Sequence, residues 1–329
     1  MADTFNYRID HHGSLVRPAE LTRIGVEQAV KDAVVYQRRL RSTVVTDGDF
    51  PREDFRSAVF DAVSGFRRTQ ETDADGLTRW VAEALPKADG PLVAERAARL
   101  AELTVIAPKV SLPSPAYLAA TTFQPGLGPA SARELGEALA EIVRAEIARL
   151  VAAGVRLIQL NNPLLLGQSA GDTAGALSFE EALAVDALAV RLDERGEGVR
   201  IGVAPGWIAP AEVDRAQAER MYGAIPADRW ILPFDQGTQA ELDLVRALPE
   251  DRDFCLGVVD ATRPELEDID TVMSRIDAVG EFKDLEDGAV SPSRGFADVA
   301  SRPLLGAEDQ RRKLVLVETV ARYVWGNEF

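Results

Sequence analysis

Residues 131–162 read SARELGEALAEIVRAEIARLVAAGVRLIQLNN, and the way this stretch divides decides the fold. Leu135, Leu139, Ile142, Ile147 and Leu150 recur at helical spacing, which predicts an amphipathic helix over Ser131–Val151. Ser131 and Glu134 stand at capping-box spacing at its start. Gly154 supplies the stop, and the run Arg156–Asn161 follows at once, apolar in the middle and polar at its C-terminal end. A strand apolar through its middle is covered on both faces, as in a parallel sheet with crossover helices.

The alternation repeats outward in both directions. Further β-rich runs fall at Tyr7–His12, Thr43–Asp47, Lys109–Leu112, Arg200–Ala204, Trp230–Asp235, Phe254–Asp260 and Ala289–Pro292. Helical patterns occur at Pro18–Leu40, Ser178–Arg195, Pro210–Tyr222, Gln239–Leu248, Pro264–Val279 and Gly306–Trp325. Eight strands with intervening helices predict an α/β fold, a (β/α)8 TIM barrel, as one domain over 1–329. The charged stretch from Phe50 to Leu103 reads as largely helical, an elaborated connection after the second strand. The 46% apolar content of the whole chain supplies a large core, and no internal repeat or low-complexity segment interrupts the sequence.

Charge and composition narrow the function. A net charge of −16 repels nucleic-acid phosphates and anionic lipid, so neither is an expected partner. The longest apolar runs, such as 106–112, stop far short of the roughly 20 residues of a membrane span. The N-terminus shows no secretory signal, which makes the cytoplasm the expected location. Cys255 is the only cysteine, so no metal site can draw two thiolates from this chain, and its place inside FCLGVVD suits a buried, inert thiol.

In a barrel of this kind the site lies at the C-terminal strand ends, which collects Asp10, His11, His12, Asp47, Asp49, Ser114, Asn161, Asn162, Trp207, Asp235, Asp260 and Arg294. Strand-end Asp and Asn also cap helices and close turns. Asp47-Gly48-Asp49, followed by Arg52, offers two carboxylates for an ammonium group or for base catalysis. His11 and His12, the only imidazoles, can move protons near neutral pH. The Gly-rich loop 167–175 lacks phosphate-loop spacing and reads as a mobile loop near the barrel mouth.

Six segments in series, DHHGSLVRPAEL (10–21), TDGDFPRED (46–54), KVSLPSP (109–115), IQLNNP (158–163), LGVVDATRPELED (256–268) and SPSRGFADVASRPL (291–304), resemble the catalytic barrel of cobalamin-independent methionine synthase and its short single-domain relatives. The resemblance implies a zinc ion, held by a His, two Cys and a Glu, that activates a thiol to attack a methyl group on a folate. This chain departs from that pattern at each ligand. The family's H-x-C reads Gly202-Val203-Ala204, its Glu reads Pro233, and its last Cys reads Arg294. A family carboxylate pair reads Asn161-Asn162, and the acidic residue of a DGE-type motif survives as Asp49.

No zinc is therefore expected, no other cofactor is implied, and folate remains a possible ligand. Arg294 either holds an anionic substrate group in a bidentate fork or fills the vacated space by pairing with Asp235 or Asp260. Three readings follow. One is zinc-free alkyl (methyl) transfer or C–S bond chemistry on a small amino acid or thiol, with His11, Asp49 and Asp235 as acid and base. In it His12, Asp47, Ser114, Asn161, Asn162, Trp207, Asp260 and Arg294 bind the substrate. The others are a metal-free lyase or decarboxylase acting on a small carboxylate, and a non-catalytic ligand-binding pseudoenzyme.

Overall fold

The computed structural model describes residues 6–73, 76–192 and 195–326. Seven parallel strands form one curled sheet in the order β1 (Val44–Val45), β4 (Ala107–Pro113), β5 (Leu157–Asn161), β6 (Arg200–Ala204), β7 (Arg229–Pro233), β8 (Asp253–Val259), β9 (Gly288–Pro292). The eighth expected strand is not regular. Residues 7–12 run as an extended segment whose Ile9 bridges Val290 in parallel. Its other side meets the start of β1, where the Thr43 hydroxyl accepts from the Ile9 N–H at 2.9 Å. Two backbone bonds make the bridge, from the Asp10 N–H to the Val290 carbonyl and from the Val290 N–H to the Arg8 carbonyl, both 2.9 Å, and two polar anchors reinforce it: Arg8 donates to the Gly288 carbonyl at 2.8 Å, and Asp10 meets Lys109 at 2.7 Å. The architecture is TIM-barrel-like, with seven strands and an irregular eighth position.

The segment 50–103 corrects the helical expectation. It holds only α3 (Ser57–Phe60) and α4 (Ala94–Glu102), and between them an antiparallel hairpin of β2 (Val63–Thr72) and β3 (Thr78–Ala88). Phe66, Trp80 and Ala82 face inward on the hairpin, with Phe60 stacked on Trp80 at 4.6 Å, while the intervening Arg and Glu side chains face solvent. Phe66 pairs with Ala82 on that inward face, and the exposed Arg67, Arg68, Arg79 and Glu83 around them mask the strand pattern.

The remaining helices follow the pattern with trimmed ends. Pro18–Leu40 divides into α1 (Leu21–Ile24) and α2 (Val26–Arg39) at Gly25, whose φ of 80° breaks the helix. Ser114 caps α5 (Pro115–Thr122), a helix the periodicity does not show. The decisive stretch forms α6 (Ala132–Ala152), with the Ser131 side chain accepting from the Glu134 N–H at 3.0 Å; the return bond from Glu134 goes to Ala130 instead. Leu135, Leu139, Val143, Ile147 and Leu150 are fully buried along it, each adding about 2 kcal/mol of burial. Beyond it lie α7 (Leu165–Ser169), inside the Gly-rich loop, then α8 (Phe179–Val190), α9 (Arg215–Ala224), α10 (Gln239–Ala247), α11 (Ile269–Gly280) and α12 (Ala307–Trp325). Residues 193 and 194, within the expected helix Ser178–Arg195, lie outside the described residues. Among the described residues no helix is long and apolar enough to cross a membrane.

Candidate active site

Asp49 follows β1 with φ at 56°, a left-handed conformation costing a residue with a Cβ about 1 kcal/mol or more. Its own loop holds it there: the Asp47 carboxylate accepts the Asp49 N–H at 2.9 Å. The Asp49 carboxylate lies 3.2 Å from the Arg52 guanidinium and 3.5 Å from the Ser111 hydroxyl. Burial pushes its pKa up to about 6 against the pull of Arg52, and the nearby charges of Asp47 and Asp298 add to the rise. Gly13 passes so close that a Cβ there would lie 2.9 Å from the Ser111 oxygen and 3.1 Å from the Asp49 carboxylate. Its φ of 145° reinforces the need for glycine.

Three guanidinium groups lie at this end of the sheet; Arg52 meets the Asp49 carboxyl, and the charge of Arg17 also acts on it. Arg52 donates to the Ser111 carbonyl at 2.8 Å. Arg17 donates to the carbonyls of Asp49 (2.8 Å) and Arg52 (2.7 Å), and among the described residues no carboxylate lies within ion-pair distance of it. Arg294, after β9, lies flat over Trp207 at 3.8 Å from the ring centre and donates through Nε and Nη2 to Asp298. Asp298 in turn accepts from Ser14, and Phe55 packs edge-on to Trp207. The pair to Asp298 replaces the expected alternatives of Asp235 and Asp260 for Arg294.

The structure brings His12, Asp49, Asn161, Trp207 and Arg294 to this end of the sheet. His12 is buried beside Gln159, which also donates to the Asn161 oxygen at 2.6 Å. Burial holds the His12 pKa down at about 3, with the Lys109 and Arg294 charges reinforcing the effect, so the ring is neutral. Asp235 and Asp260 stand at the ends of β7 and β8. Burial raises Asp235 to about 6, and Asp260 adds to it. Burial also acts upward on Asp260, but hydrogen bonds from Thr262 and Arg263 outweigh it and leave that pKa low.

Four expected site residues have other partners. His11 bonds the Ser42 hydroxyl at 2.8 Å, between α2 and β1, and burial lowers its pKa to about 4. Ser114 and Asn162 both donate to the Asp186 carboxylate on α8, at 2.6 and 2.8 Å, in a fully buried cluster that ties two strand ends to a helix. Asp47 turns toward the outside of the sheet, beside α2 and α4. Arg17 and Asp298 were missed. Both sit inside segments with recognisable sequence, SLVRP and SRGFAD, but nothing local marks which of their side chains turns inward.

The zinc that the resemblance implies finds no donor set. Gly202 and Ala204 end β6 and Pro233 ends β7, none with a donor side-chain atom, and the cation Arg294 stands where the last thiolate is expected. Ala204 packs with Ile231, Cys255 and Ala289 in a small apolar cluster. Burial raises the Cys255 thiol to about 12. Among the described residues no three His, Cys, Asp or Glu side chains gather as a metal site needs.

Residues 11–303 match the family model described as cobalamin-independent synthase, catalytic domain. The chain belongs to that family. The match spans from His11 to the loop beyond Arg294 and so contains every element of the site. The uncharacterized protein YxjH of Bacillus subtilis (strain 168) is 25% identical over 97% of this chain and 95% of its own length. YxjG of the same organism is 30% identical over 36% of this chain and 32% of its own. Among solved structures, a B12-independent methionine synthase from Shewanella sp. W3-18-1, in complex with selenomethionine, superposes with a TM-score of 0.77. It is 17% identical, covering 97% of both chains, so the likeness is one of fold.

Proposed function

We propose that this methionine-synthase-like protein is an enzyme that carries out alkyl transfer or C–S bond chemistry on a small molecule bearing an anionic group, without zinc. The observation that carries the reading is Asp49: a buried carboxyl in a strained backbone position, with a pKa of about 6, paired with the Arg52 guanidinium. A base with that pKa accepts a thiol proton near neutral pH as sulfur bonds to the incoming alkyl carbon and the donor leaves. Arg17, the guanidinium of the three with no carboxylate partner among the described residues, offers its charge to the substrate anion. Asn161 and His12, both uncharged, supply polar contacts without competing for that anion. The donor of the alkyl group is open, with a methyl-folate among the candidates.

The test uses the purified full chain, washed with a chelator, incubated with homocysteine or another small thiol carboxylate and with methyl donors including methyl-folate. Mass spectrometry reads the alkylated thiol. Product formed in the presence of chelator and reduced at least 100-fold by Asp49→Asn supports the reading. Turnover that appears only on adding zinc, or that survives Asp49→Asn unchanged, overturns it.

A further inference from the structure

On the outer side of the Asp47-Gly48-Asp49 loop, opposite the site just described, lies a cleft of about 770 Å³. It is formed by the first turns of α2, by α4 and by the loop itself. Its volume falls within the range that holds small ligands. The floor is apolar, made of Val26, Val30, Pro51, Leu100 and Leu103. Six charged side chains rim it. Arg99 and Glu27 neutralise each other across 3.3 Å. The other four, Lys31 and Arg96 against Asp47 and Glu102, form no ion pair among the described residues.

Two cations and two anions outside any ion pair, with Asp47 also accepting the Asp49 N–H, stand above an apolar floor and complement a ligand that carries both signs on one end and an apolar tail on the other. A single-sign ligand would leave half the rim unmatched, and a wholly apolar one would desolvate all four charges with no return. We propose that this cleft is a second binding site, for a free α-amino acid with an apolar side chain, and that it acts on the site across the loop. The ammonium group meets Asp47 and Glu102, the carboxylate meets Lys31 and Arg96, and the tail lies on the valine and leucine floor. Asp47 provides the connection: the carboxylate that would take the ammonium also accepts the N–H of Asp49 at 2.9 Å. A ligand that draws on Asp47 changes the bond that holds Asp49 in its left-handed conformation. The proposal rests on the cleft alone and stands independently of the reaction assigned to Asp49.

Isothermal titration of the full chain with L-leucine tests it, with D-leucine and isovalerate as probes lacking the matched pair of charges in the right hand. One saturable site is expected. Arg96→Gln, on an exposed side chain, and Val30→Trp, which fills the floor, each weaken L-leucine binding at least tenfold, whereas Arg294→Met at the strand-end site leaves it unchanged. NMR titration of the Asp49 carboxyl reads the coupling, and L-leucine shifts its midpoint in the wild-type chain but not in Arg96→Gln. No binding at millimolar L-leucine, binding insensitive to Arg96→Gln, or loss of binding in Arg294→Met overturns the proposal. Binding without any shift at Asp49 overturns its second half.

Discussion

Replacing Asp49 by Asn should make the protein more stable at alkaline pH while abolishing its chemistry. An isolated aspartate ionises near 3.8, whereas burial moves this one to about 6 in the folded chain. Between those values the unfolded chain loses its proton first, so folding stability falls as pH rises through the interval and stays low above it. Roughly two units of displacement correspond to about 3 kcal/mol at pH 8, and at pH 4 to well under 1 kcal/mol. Asn keeps the shape of the side chain and tolerates a positive φ as readily as Asp. Its neutral amide removes the penalty, against the loss of an ion pair with Arg52, which keeps its bonds to Ser111. The variant's advantage over wild type should therefore grow by about 2 kcal/mol between pH 4 and pH 8. Urea unfolding at pH 4, 6 and 8 reads it directly. A variant less stable than wild type at pH 8, or a difference constant with pH, would refute the argument that burial dominates this carboxyl.

Arg294→Met keeps the stem over Trp207 and removes the charge; ligand binding or turnover should weaken at least tenfold, with the melting temperature little changed. Normal binding in that variant makes the guanidinium a partner of Asp298 and nothing more. Asp186→Ala leaves Ser114, Asn162 and the Ala116 N–H without their acceptor in a fully buried cluster, and equilibrium unfolding should register a loss of about 3 kcal/mol or more. Lys109→Met leaves the buried Asp10 with the His11 N–H and, as its cation, only the weaker Arg229 contact at 3.5 Å, and a loss of about 3–5 kcal/mol is expected in the same assay. Elemental analysis of the purified protein should find no stoichiometric zinc; one tightly held ion per chain would mean that the ligand positions have been misplaced on β6, β7 and β9.

Seven of the eight strands are legible because their apolar centres are bounded by turns and helical periodicity. The segment around Ile9 is legible as extended but not as irregular: its anchors, Gly288 and Lys109, lie far away in sequence. The hairpin is hidden because the exposed Arg67, Arg68, Arg79 and Glu83 crowd around Phe66, Trp80 and Ala82 in a way that charge counting reads as a solvated helix. At the site, placement at a strand end is readable and orientation is not. His11 and His12 are adjacent, and side-chain alternation sends one to Ser42 and the other to Gln159. Ser114 and Asn162 are claimed by Asp186, a residue on a helix about 70 positions from Ser114 that carries no local mark of the role.

The bridge between Ile9 and Val290 has a consequence for how the protein is made. Its two halves lie far apart in the sequence, at residues 9 and 290, so during synthesis the earlier segment waits for the later one. Until residues 286–290 leave the ribosome, Arg8 has none of its partners there, and β9 is not yet available to hold the other side of the segment. Until then the nascent sheet keeps an unsatisfied margin, a state prone to pairing with neighbouring chains. Slow translation between the two segments would prolong that exposure.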